Sequence, residues 1–165
     1  MHRPLPVLLS CVFLWTLAAC GQKKAAPVAS APRAGDPSAP FSIEYRMITF
    51  FPTCRGNTRV KVDADGHVYV QRSDRDCPKG QDFSDPYPGT PKTALGPKAL
   101  GHLQRLVVDG GFFTLAPPPR GPVSDGYREE LEVTLDGQTR IVTVFDGARL
   151  AGWDDLKAAL LEHTR

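Results

Sequence analysis

Histidines, hydroxyl nucleophiles and clustered carboxylates are the residues of this chain whose types could support catalysis or metal binding. Beyond the first twenty residues, histidine stands only at His67, His102 and His163. A helical zinc motif needs two histidines about one turn apart on one face, and no two of these have that spacing. His102 falls roughly 100° from the centre of its helix's apolar stripe at 3.6 residues per turn, which places it in solvent. His163 sits near the end of a C-terminal helix, where the helix dipole favours a cation. His67 opens a strand beside a turn. No metal and no other cofactor is expected.

Other chemistries are equally short of parts. There is no Gly-x-Ser-x-Gly elbow to present a serine and no glycine-rich loop to cradle phosphate. Carboxylates do come in pairs, at Asp63/Asp65, Asp74/Asp76 and Glu129/Glu130. Such pairs act as acid and base only when burial or proximity drives their pKa values apart. At turns and on strand faces they are expected to be solvated. Asp63-Ala64-Asp65-Gly66 resembles the opening of a calcium loop but lacks the later ligands of that pattern, and a hairpin turn accounts for it. From residue 41 onward, 16 lysines and arginines face 17 aspartates and glutamates. That balance leaves no basic stripe of the kind nucleic-acid binders need, so nucleic acid is not an expected partner.

The amino terminus is informative. Arg3 is followed by an apolar stretch from Leu5 to Leu17 and then by Ala18 and Ala19, the layout of a signal peptide with a small-residue cleavage site. The stretch is shorter than the about 20 residues a membrane span needs, and Pro4 and Pro6 interrupt it. Leu17-Ala18-Ala19-Cys20-Gly21 resembles the bacterial lipobox. That resemblance implies a signal peptide over 1–19, cleavage before Cys20, and a diacylglycerol thioether on Cys20. It also implies, through Gly21, delivery to the outer membrane. Two or more acyl chains make such anchoring stable, so the membrane partner is reached through lipid in the cell envelope. With Cys11 removed and Cys20 acylated, Cys54 and Cys77 remain as one pair. In an oxidising compartment they are expected to form a disulfide. Zinc would need further ligands close by.

These residues must be positioned by a small set of elements. Residues 20–40 carry the lipidated cysteine and an Ala/Pro-rich stretch with almost nothing to bury, an extended tether. Residues 41–165 are the size of one ordinary domain. Phe41, Ile43, Tyr45 and Met47 alternate with Ser42, Glu44, Arg46 and Ile48, predicting a strand to about Phe51. Thr58–Val62 and His67–Gln71 flank an Asp65-Gly66 turn, a hairpin signal. Ser73–Ala94 is a long loop rich in Asp, Pro and Gly, and loops of that length often bind something. Within it Phe83 and Tyr87 are candidate binding residues; they either stand out as anchors or pack down over the sheet.

Pro97 suits the first turn of a helix. Leu100, Leu103, Leu106 and Val107 form its stripe, and Gly110-Gly111 ends it. Pro117-Pro118-Pro119-Arg120-Gly121-Pro122 reads better as a stiff connector than as a polyproline ligand. Tyr127–Leu135 and Arg140–Phe145 form a second hairpin about Asp136-Gly137. A last helix runs from about Leu150 to His163. The order β-β-β-α-β-β-α predicts an α+β single domain in which two antiparallel hairpins form one sheet with two helices packed on one face.

The cadence of the second half is familiar. A leucine-spaced helix runs into Gly110-Gly111-Phe112-Phe113-Thr114-Leu115, a loop reaches Asp125, and the Tyr127–Leu135 strand begins a hairpin before a final helix. This is similar to small α+β domains of unknown function in bacterial lipoproteins. More distantly it resembles emfourin-type inhibitors of thermolysin-like metalloproteases. Cys54-Arg55-Gly56-Asn57-Thr58 departs from the former in lacking an early second cysteine and a proline. The lack of a recognisable catalytic set, together with the anchor, tether and compact domain, leads us to expect a non-enzymatic, membrane-anchored module that binds another protein, and the emfourin resemblance implies protease inhibition as its named form. The alternatives are a structural or assembly component of the envelope and an enzyme whose site is not recognised.

Overall fold

The computed structural model describes residues 39–50, 53–119 and 126–165. The expected signal peptide, Cys20 and the expected tether up to residue 38 lie outside the described residues, as do 51–52 and the part of the connector from 120 to 125.

Alternation in β1 (Phe41–Thr49) buries Phe41, Ile43 and Tyr45 on one side of the strand. The hairpin of β2 (Thr58–Val62) and β3 (His67–Arg72) buries Val60, Val62 and Val68 on the same side. Beyond β3 a two-residue strand, β4 (Thr93–Ala94), pairs back onto His67 and Val68, so the end of the long loop is part of the sheet. After α1 (Pro97–Asp109) the chain makes a 3-10 turn, Phe112–Thr114. The second hairpin is β5 (Tyr127–Leu135) and β6 (Gln138–Phe145), and α2 (Trp153–Glu162) follows. The returning strand starts two residues before the predicted Arg140. The last helix starts at Trp153 because Gly152, at φ +77°, is outside helical geometry.

The strands form one antiparallel sheet in the order β4-β3-β2-β1-β5-β6. The α+β class and the two hairpins are those expected. The sheet is closed by the pairing of β1 with β5 along their whole length, Phe41 opposite Leu135 and Thr49 opposite Tyr127. Leu103 and Val107 of α1 and Trp153, Leu156 and Leu160 of α2 join Ile43, Val60, Leu131, Val133, Val142 and Val144 in one buried core. At about 25 cal/mol per Å² of apolar area removed from water, this layer is the main driving force of the fold. Among the described residues, no helix is long and apolar enough to cross a membrane.

The two Asp-Gly turns differ. Asp136 and Gly137 both take positive φ, 54° and 76°, as a two-residue hairpin requires. The first hairpin instead uses a four-residue loop, Asp63–Gly66, in which Gly66 alone has positive φ. Asp63 stabilises it from its side chain, its Oδ1 accepting the N–H groups of Asp65 at 3.0 Å and His67 at 2.9 Å.

Candidate binding surface

The strand alternation that fills the core sends charge to the opposite, helix-free face. Arg46 of β1 lies within 3.6 Å of both Glu44 and Glu130 and also pairs with Glu132. Arg128 bridges Glu130 at 2.9 Å and Asp82 of the long loop at 3.1 Å. Arg59 stands opposite Arg46 across the β1–β2 pair. Like charges so placed repel, but each guanidinium has its own partners. Arg59 donates to Gln71 Oε1 at 2.7 Å and to the Asp85 carbonyl at 3.0 Å. It lies 4.6 Å from the Phe83 ring centroid and 3.9 Å from that of Tyr87.

Phe83 and Tyr87 therefore pack down over the sheet, both half-buried, with Tyr87 also edge-on to Tyr69. Burial pushes the Tyr87 hydroxyl well above the ordinary tyrosine range, and the nearby Glu44 carboxylate adds to this against Arg59. The long loop is fixed along its length. Cys54 and Cys77 form the expected disulfide, with Cα atoms 5.7 Å apart. Asn57, only 1% exposed, donates to the Asp82 carbonyl at 2.6 Å. Its Oδ1 accepts the N–H of Thr49 at 2.8 Å. Gln71 Nε2 donates to the Asp85 carbonyl at 2.6 Å. Between the end of β1 and the Cys77–Asp82 segment lies a cleft of about 600 Å³, lined by Ile48, Lys79 and Arg128 among others. Ile48, placed on the polar side of its strand by alternation, is only 2% exposed.

The far edge of the sheet is the outer side of β6. The two-residue turn makes Leu135 and Gln138 a hydrogen-bonded pair. Antiparallel alternation then turns the N–H and C=O groups of Thr139, Ile141 and Thr143 away from β5. No described strand pairs with that side. Ile141, at 52%, is the large hydrophobic side chain most exposed among the described residues.

Other residues singled out in the sequence are scattered. His102 is exposed, as expected, and His163 caps the end of α2. His67 is brought beside the Asp63–Asp65 turn, where the three side chains place one ligand atom each within 4.8 Å of one another. Partial burial pushes the Asp63 carboxyl up, but the N–H groups of His67 and Asp65 together with the His67 ring outweigh it and hold it below its ordinary range. Asp74 and Asp76 are solvated.

The Glu129/Glu130 pair corrects the expectation of solvation. Glu129 is 5% exposed on the helix side of β5. It accepts the Tyr45 hydroxyl at 2.5 Å and Lys157 Nζ of α2 at 3.0 Å. Lys157 also lies 4.8 Å from the Trp153 ring centroid. The helical spacing of α2 places Lys157 one residue from Leu156 of its apolar stripe, a weak sign of partial burial. Nothing local in the sequence marked Arg59, Asn57 or Gln71, whose side-chain partners lie 8 to 26 residues away.

The surface combines directed hydrogen bonds, paired charge and partly buried aromatic rings. No known protein-family model matches the chain, and no curated protein matches it either.

Proposed function

We propose that this chain is a lipid-anchored protein of the bacterial cell envelope, held to the outer membrane through Cys20, whose domain binds another protein and catalyses nothing. The observation that carries the reading is the outer edge of β6. Three consecutive outward residues there present main-chain donors and acceptors around the exposed Ile141. Such an edge accepts an extended chain as an added strand, with main-chain hydrogen bonds giving affinity and alternate side chains giving specificity. A thermolysin-like metalloprotease, whose inhibition the sequence cadence implies, is the named partner.

The test is capture of envelope proteins by the domain, together with hydrolysis by thermolysin-like proteases in its presence. Ile141→Pro removes an N–H that points away from β5, so the hairpin keeps its own bonds. The variant should fold as the parent does, seen in its circular dichroism and melting, and should lose its partner. Equal capture by both proteins defeats the edge reading. Cys20→Ser should move the protein from the membrane to the soluble fraction, and a variant that stays membrane-bound defeats the anchor.

A further inference from the structure

We infer that a second cleft, on the helix side of the sheet, binds a single-chain anionic amphiphile, a medium-chain fatty-acid carboxylate. The cleft lies where the end of α2 leaves β1, β2 and β3 uncovered. It is an open cleft of about 290 Å³, just below the about 300–1,000 Å³ typical of ligand cavities. One alkyl chain suits that size; a folded partner does not.

Its lining sorts by depth. Met47, Val60, Val70 and Leu161 make an apolar floor. Tyr45 reaches it from the core side with its hydroxyl already given to Glu129, and Thr58 and Thr164 add hydroxyls to the lining. Arg72 and Arg165, both exposed, stand at the rim. Neither forms an ion pair among the described residues, whereas Arg46, Arg55, Arg75 and Arg128 all do. Lys92 joins the same mouth by hydrogen-bonding the Thr164 carbonyl. No carboxylate side chain lines the cleft.

Two arginine side chains at the rim of an apolar cleft, with Lys92 held beside it through Thr164, complement a ligand with an anionic head and a hydrocarbon tail. The tail would remove the floor from water. The planar guanidinium fork fits a carboxylate through two parallel hydrogen bonds.

The experiment is calorimetric titration of the full chain with decanoate below its micelle concentration. Decanol keeps the tail without the charge, acetate keeps the charge without the tail, and anionic vesicles offer the charge only as a surface. Decanoate should bind one saturable site, shift the Met47 methyl resonance, and exceed all three controls. Arg72→Gln, at an exposed strand end, should weaken it by about tenfold or more, and Val70→Trp should fill the slot and block it. Should Val70→Trp not fold, Arg72→Gln and the Met47 signal decide alone. The inference is overturned if decanoate does not bind, if it binds without moving Met47, if Arg72→Gln binds as the parent does, or if any control binds as well.

Discussion

Single side chains carry two tests. Lys157 and Glu129 form a pair whose carboxylate is buried while the ammonium is about one-fifth exposed. Removing one member of a buried pair leaves the other uncompensated, at about 3–5 kcal/mol. Partial exposure of Lys157 sets Lys157→Met near the lower figure of about 3 kcal/mol, measurable by urea unfolding. Asp63 provides the pH test. Its folded pKa lies below its ordinary 3.8, so the unfolded chain binds more protons and stability rises with pH through that region. The contribution is complete above the ordinary value and disappears as pH falls through the folded one. Acidification below about pH 4 should therefore cost the parent more stability than it costs Asp63→Asn, and parallel curves would show that Asp63 contributes nothing of the kind.

The elements meet where α1 ends and α2 begins. A Cβ on Gly152 would come 2.7 Å from the Gly110 carbonyl, and one on Gly110 would come 2.6 Å from that of Leu106. Gly152 also needs φ +77°, which costs other residues about 1–2 kcal/mol before any clash. Gly152→Ala should lower the melting temperature well beyond Gly89→Ala, where a Cβ meets open space. Hairpins and helices were legible in the chain because their signals are local, such as alternation about Asp-Gly or leucines at helical spacing. The partnership of β1 with β5 was not, since nothing in Phe41–Thr49 names a partner 78 to 94 residues on. The candidate surface was half legible. Phe83, Tyr87 and the two cysteines could be marked by type, whereas Arg59, Asn57 and Gln71 matter only through what folding brings against them.

Taken whole, the molecule has two differently supported faces, one covered by helices and the other by the long loop. The loop's attachment depends on the disulfide, which spans 23 residues and by chain entropy contributes about 3 kcal/mol. Reduction, or Cys54→Ser with Cys77→Ser, should lower stability by about that amount. It should also raise amide hydrogen exchange in residues 74–85 while leaving α1 and α2 protected. Unchanged exchange there would mean that Asn57, Gln71 and Arg59 hold the loop without help.

The place of β1 at the centre of the sheet matters for how the chain is made. The ribosome produces it first among the strands, yet one of its two neighbours, β5, is not complete until residue 135. Until then one whole flank of β1 offers bare main chain to whatever comes near, and the loop that must close is among the longest the chain permits. Pairing of β1 with β5 therefore cannot be completed until most of the chain has been made.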